Sequence, residues 1–353
     1  MIVPRKVLLR LSEHEQLDPD TRAKLKKTAL LDVQMRLLRA QAQQVTTSAL
    51  SLLGRPANIA TTPDVTVYDC QNTTSLPGRK IDPPEGSEDE VAKTVFDTTT
   101  KVAAFFKQAF DRNSLDDAGM TLRSSIHYGT DYNNAFWNGF QMTYGDGDGQ
   151  IFIELCRSSD VVAHELMHGV TQHSLQLIYA NESGGLNESL SDVFGSMFRQ
   201  WLQQETVESA DWLIGADILG PRAISFGYNC LRNLADPESP KCLGQQISHY
   251  DQYQTGMDPH ESSGVPNLAF YTAATTLGGN SWEEIGKVWY HVVSNEGSSP
   301  NMTMHQFAEA TQEATQHLFP NKPAVSQAVE DGWRRVGIVR SSVSNRRRAA
   351  ALS

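Results

Sequence analysis

The string Asp160-Val-Val-Ala-His164-Glu165-Leu-Met-His168 constrains this chain most. Two histidines four positions apart on a helix of 3.6 residues per turn fall about 40° apart, so both imidazoles can reach one ion. Ser158, Ser159 and Asp160 supply the start signal for that helix. Glu165, next to His164, can reach a metal-bound water rather than the metal. Catalytic zinc takes three protein groups and keeps one position open. Glu188 lies twenty positions after His168 on what reads as a second helix, and it is the candidate third ligand. Asp192 follows on the same face, placed to accept the free N–H of a liganding histidine. Gly184 and Gly185 read as turn residues between the two helices.

Composition bounds the rest. A chain of 353 residues suits two domains, and 39% hydrophobic with 20% charged residues is globular composition. The net charge of −11 argues against nucleic acid as a partner, since phosphate binding needs a basic face. That charge is uneven. Residues 1–45 and 340–353 carry +4 each, while residues 46–339 hold 17 basic against 36 acidic side chains. Four cysteines exclude a small disulfide-stapled scaffold. No apolar run approaches the roughly 20 residues of a membrane span. Met1–Glu15 lacks the apolar core and cleavage site of a signal peptide.

Along the chain, residues 19–44 predict a helix capped by Asp18 or Asp20, with Leu30, Leu31, Val33, Leu37 and Leu38 as its apolar stripe. Residues 45–64 read as a linker. Val65–Tyr68 alternates as a strand, Val91–Asp111 reads as a helix and Met120–Phe152 as β-rich. Gly145–Gly149 (GDGDG) reads as a turn rather than a calcium loop, because the glutamate of an EF-hand is missing. Helical patterning dominates from Asp160 to about Val339, and residues 340–353 read as a disordered basic tail.

In this order, the motifs YNNAFWNG (132–139), YGDGDG (144–149), DVVAHELMHGVT (160–171), LIYANESGGLNESLSDVFG (177–195), DWLIG (211–215), LRNLADP (231–237) and SGVPNLAFY (263–271) resemble the thermolysin family of metallopeptidases. The short N-terminus (IVPRKVLLRL, 2–11) is similar to the protealysin-like subgroup, with its short propeptide. A metzincin is excluded, because Ser174 stands where its third histidine would be. The resemblance implies an α+β, two-domain fold: a β-rich N-terminal domain ending in the zinc-binding helix, a mostly helical C-terminal domain, and a cleft between. The implied division is a propeptide over 1–50, peptidase domains over 51–176 and 177–339, and the tail.

The implied activity is a zinc endopeptidase that cuts before bulky hydrophobic residues and is made as a self-processing zymogen. Its N-terminal segment would be an intramolecular inhibitor, and peptides or proteins its substrates. His164, His168 and Glu188 match the zinc ligands and Glu165 the general base. Tyr179 and His260 match the oxyanion donors, and Arg232 the arginine that binds the substrate carbonyl. Asn134 and Ala135 match the cleft edge. Phe152, Leu155, Val161, Ile214 and Leu231 match the apolar pocket. A secreted monomer is implied, although no signal peptide is recognisable; a cytoplasmic location is the alternative.

The chain also departs from the family pattern. Thr255 stands where an aspartate orients the oxyanion histidine, which leaves Asp258 as the nearest substitute for His260. Asp160 and Asp211 match two calcium carboxylates, but Arg199, Leu213 and Ala216 occupy other matching positions. A hard cation wants six to eight oxygens, so the full double Ca2+ site is expected to be absent, with Arg199 pairing Asp160 or Asp211 instead. Cys230 and Cys242 are expected either to form a disulfide or to remain free thiols, and His260 is expected in a loop.

Overall fold

The structure is a computed structural model that describes residues 1–53, 63–294 and 299–338. The N-terminal segment forms α1 (Arg5–Ser12) and α2 (Pro19–Leu53). Then come β1 (Val65–Asp69), β2 (Arg79–Ile81), α3 (Glu90–Phe110), β3 (Leu122–Ile126), β4 (Ala135–Trp137) and β5 (Met142–Tyr144). The histidine helix is α4 (Ser159–His173), followed by α5 (Asn181–Gln203), β6 (Leu213–Ile214), α6 (Pro221–Ser225) and β7 (Arg232–Asn233). The last part is helical: α7 (Pro259–Ser262), α8 (Gly264–Leu277), α9 (Glu284–Ser294), α10 (Met304–Leu318) and α11 (Pro323–Arg335).

Five strands make one mixed sheet in the order β2-β1-β3-β5-β4. The inner pairs are parallel, with Val65 opposite Leu122 and Ser124 opposite Met142. β4 closes the edge antiparallel, with Ala135 opposite Tyr144. Its outer side is therefore an edge on which an extended segment can pair. Asp89 caps α3 by accepting from the Val91 and Ala92 amides. That helix buries Val95, Val102, Phe105 and Phe106 between the sheet and α4. In the GDGDG turn, Gly147 and Gly149 take φ values of 71° and 73°, and Asp148 Oδ1 accepts from three following amides.

Several local expectations change. α1 was not expected, and α2 runs nine residues past the predicted end to Leu53, well into the expected linker. Residues 54–62 of that linker and the 340–353 tail lie outside the described residues. The side chain of Leu38 lies outside the described residues as well. Most of the expected stripe of α2 faces outward: Leu30, Val33 and Leu37 are exposed and Leu31 is half-buried against a small core cluster, while Leu25, Ala29, Asp32 and Met35 turn inward. The reason is what α2 docks on: Thr28 Oγ1 accepts from the Asn133 amide and Asp32 accepts from the Tyr132 hydroxyl, so the buried face is partly polar.

Gly184 and Gly185 are not a turn but lie within α5. A Cβ on Gly184 would meet Pro259 at 2.8 Å, and one on Gly185 would meet Ser262 Oγ at 2.4 Å. Both glycines let α7 lie against α5. His260 sits in α7 rather than in a loop, because Asp258 caps that short helix by accepting from the His260 amide. Cys230 and Cys242 are free thiols with sulfurs 3.1 Å apart, and Cys70 and Cys156 are buried and free.

Candidate active site

α4 starts at Ser158, whose hydroxyl donates to Asp160 Oδ1 at 2.6 Å. Its heptapeptide from Val162 to His168 is wholly buried between the sheet and α5. The helical period brings the His164 and His168 rings to 4.8 Å. α5 comes close enough to supply Glu188 because Gly195 has no side chain; a Cβ there would lie 2.7 Å from the Asp160 carbonyl. His164, His168 and Glu188 each offer one ligand atom, all within 4.8 Å of one another, and all three residues are buried.

Each imidazole is fixed from behind. His164 Nδ1 donates to Asp192 Oδ1 at 2.9 Å, as the spacing of Asp192 implied. His168 Nδ1 faces Asn187 Oδ1 at 2.7 Å and Ser191 Oγ at 2.9 Å. Neither of these two was anticipated. Asn187 and Ser191 are four apart, so the same helical period could have found them. The Nε2 atoms then point at Glu188, at 3.4 Å from His164 and 3.6 Å from His168. His164 Nε2 and Glu188 Oε2 are buried without a hydrogen bond. Buried ligand atoms that no protein group satisfies fit a cation, and two imidazoles with a carboxylate are a donor set for zinc. Burial alone would raise the Glu188 pKa, but the fields of His260 and His168, with His164 beside it, hold it well below the usual carboxylate range.

Asp192 joins the metal group to the cleft. Arg232 grips it through Nε at 2.8 Å and Nη2 at 2.7 Å, and Asn267 Nδ2 donates at 3.0 Å. Burial opposes its charge, yet Arg232 and then His164 hold its pKa at about 2. Tyr179 donates its hydroxyl to Glu188 Oε1. Its ring lies 6.4 Å from that of His260. His260 Nδ1 contacts Asp258 Oδ1 at 2.8 Å, so the expected substitute does face the ring. Glu165 accepts the Trp137 amide on Oε2 at 2.8 Å, which leaves Oε1 toward the cleft.

The cleft is filled by the chain's own start. The Met1 carbonyl lies 2.7 Å from His260 Nε2, and the Met1 ammonium 3.5 Å from Glu165 Oε1. The Ile2 amide donates to the Ala135 carbonyl at 3.1 Å, and Arg232 Nη1 donates to the Ile2 carbonyl at 2.8 Å. Asn134 takes both backbone groups of Val3, each at 2.9 Å, while Asp32 of α2 accepts from its amide at 2.8 Å. Ile2 is fully buried in the same apolar cluster as Phe152, Leu155, Val161, Ile214 and Leu231. Beyond the cleft, Lys6 pairs with Glu261, and Arg10 donates to the Leu243 carbonyl at 2.6 Å. Thus Glu165, Tyr179, Arg232, His260, Asn134 and Ala135 meet around one cleft with the three ligand candidates, while Phe152, Leu155, Val161, Ile214 and Leu231 are buried in the core.

At the expected calcium position, the Arg199 guanidinium lies among Asp160 at 3.2 Å, Asp211 at 3.5 Å and Asp217 at 2.9 Å. Asp217 was not anticipated.

An HExxH helix with a glutamate on the next helix, under the edge strand of a mixed sheet, defines a metallopeptidase. The chain belongs to the thermolysin family: the model of the thermolysin metallopeptidase catalytic domain matches residues 55–172, and that of its alpha-helical domain matches 175–338. An extracellular metalloprotease of Pectobacterium carotovorum subsp. carotovorum is 39% identical over 282 residues, 77% of this chain and 80% of that protein. Protease PrtS of a Photorhabdus strain is 37% identical over 77% of this chain and 76% of its own length. The solved precursor of protealysin, a metalloproteinase from Serratia proteamaculans, superposes with a TM-score of 0.80 and 35% identity, over 96% of this chain and 99% of its own.

Proposed function

We propose that this metallopeptidase is a zinc endopeptidase that cuts peptide bonds on the N-terminal side of bulky hydrophobic residues and is made as a zymogen. The observation that carries this reading is Glu165 Oε1, turned into a cleft whose wall holds three converging ligand atoms. Zinc held by His164, His168 and Glu188 would acidify a water and polarise the scissile carbonyl. Glu165 takes the proton of the attacking water and passes it to the leaving amine. Tyr179 and His260 donate to the developing oxyanion, where preorganised donors act most strongly. Both nitrogens of His260 face acceptor oxygens, those of Asp258 and the Met1 carbonyl. Arg232, Asn134 and Ala135 hold the backbone after the cut, and the apolar pocket selects the side chain that follows it. Asp192 positions Arg232 and His164 together.

Residues 1 to about 50 are the inhibitory segment, with peptidase domains over 51–176 and 177–339. Occupation of the cleft by Met1–Val3 supports this, as does the likeness to a solved precursor. Two relatives described above act as proteases, and one is named extracellular, which supports secretion. No helix among the described residues is long and apolar enough to cross a membrane. The three carboxylates on Arg199 support a chain without the double calcium site. The enzyme works as a monomer on peptide or protein substrates.

The test is product mapping on a library of N-terminally blocked peptides. Cuts before Leu, Ile, Phe or Val that vanish with a zinc chelator and in Glu165→Gln are expected. Chelator-insensitive cleavage, or no cleavage by the processed chain, would refute the reading. Incubated full-length protein should yield a species starting near residues 45–60 as activity rises.

A further inference from the structure

The first three residues lie in the cleft in a definite direction. From the carbonyl of Met1 onward, the backbone groups meet His260, Ala135, Arg232 and then Asn134 twice. The order of these contacts along Met1, Ile2 and Val3 sets the polarity of the segment. The peptide bond between the His260-bound carbonyl and the Ala135-bound amide is Met1–Ile2. Glu165 Oε1 borders the same residue. The side chain that follows this bond, Ile2, is apolar and fully buried.

We propose that Met1–Ile2 is itself a scissile bond, and that the folded chain hydrolyses it in cis before the longer segment is removed. This rests on the endopeptidase reading above. The oxygen of a solvent water bonds to the Met1 carbonyl carbon and the Met1–Ile2 C–N bond breaks. Glu165 carries one proton of that water to the Ile2 nitrogen and the second proton follows it, leaving a carboxylate on Met1 and an ammonium on Ile2. No redox partner or co-substrate is required. Five backbone hydrogen bonds already position the bond, with its carbonyl on His260. The Met1 ammonium stands 3.5 Å from the same carboxylate, which makes the cut a slow single turnover. After it, Ile2 and Val3 keep their contacts with Ala135, Arg232 and Asn134, while the His260 side of the cleft opens.

The test uses the full-length chain, stripped of metal and then restored with zinc. Intact mass and N-terminal sequencing follow the first residue over time, at two protein concentrations. A species starting at Ile2 is expected, at a rate independent of concentration. It should be absent without zinc and in Glu165→Gln, and slowed about tenfold or more in Ile2→Gly, which leaves the apolar pocket unfilled. A readout that needs no turnover is hydrogen exchange of the metal-free chain, where the Ile2 and Val3 amides should be protected. Protein that keeps Met1 throughout, while the processed, zinc-loaded chain cuts an added blocked peptide, overturns this proposal and leaves the endopeptidase reading standing. If the processed chain cuts nothing either, both fall. An Ile2 start in Glu165→Gln assigns the trimming to another enzyme, and unprotected Ile2 and Val3 amides refute the docked geometry; either result overturns the proposal.

Discussion

Replacing Arg199 by Met tests what holds the start of the metal helix. Asp160, in the first turn of α4, is wholly buried, and its pKa is raised because burial outweighs the field of Arg199. Without that guanidinium its carboxylate keeps the Ser158 hydroxyl at 2.6 Å and two long contacts from the Gly215 amide, each at 3.3 Å. Removing one partner of a buried ion pair costs about 3–5 kcal/mol, because the remaining charge is stranded. The contacts with Asp211 and Asp217 add little, since those carboxylates are 48% and 54% exposed. With about 2.1 cal/mol/K of unfolding entropy per residue, a 353-residue chain should lose about 4–7 °C of Tm. Differential scanning calorimetry at one scan rate measures this. Asp160→Asn with Arg199→Met should recover most of the loss, because the stranded charge is gone. If Arg199→Met melts with the parent, or the double variant is no better than the single one, the ion pair does not hold this helix. Added calcium should restore Arg199→Met in part, since three carboxylates then face one space.

Three further outcomes follow from contacts already described. Gly195→Ala pushes a Cβ toward the Asp160 carbonyl, which cannot swing away; a loss of about 1–3 kcal/mol and weaker zinc retention in dialysis are expected. His127 is clamped by Asp146 and Asp89, each at 2.8 Å, and the Asp146 bond, against burial and with help from Asp89, raises its pKa from 6.5 to about 9. A raised folded-state pKa stabilises fully below about pH 6.5 and is lost as pH rises through about 9. The Tm gap between parent and His127→Gln should therefore be widest at pH 6 and close by pH 10. Asp32→Ala removes the acceptor for Tyr132 and Asn134, so the N-terminal segment should loosen and trypsin should cut at Arg5 or Lys6 faster.

The metal site was legible because helical periodicity is local. His164 and His168, Asp192 after Glu188, and the start of α4 follow from residues within a turn or two of one another. The ordered motifs then pointed to Tyr179, Arg232 and His260, which meet around the same cleft. Where the reading went astray, the cause was nonlocal. The stripe of α2 pointed outward because the surface that receives it is polar, and Gly184 and Gly185 looked like a turn because the helix packed against them was not visible.

By itself, then, the sequence determined a metal-binding pair of helices, an acidic peptidase body and a basic N-terminal segment. Only the tertiary structure decided which face of α2 docks, that Asp217 joins Arg199, that Asn267 completes Asp192, and that Met1–Val3 occupies the cleft. Those contacts join residues separated by as many as 259 positions, as between Met1 and His260, and no periodicity runs that far. Their energy comes from groups desolvated together, and which groups share a buried space is settled only when the whole chain has packed.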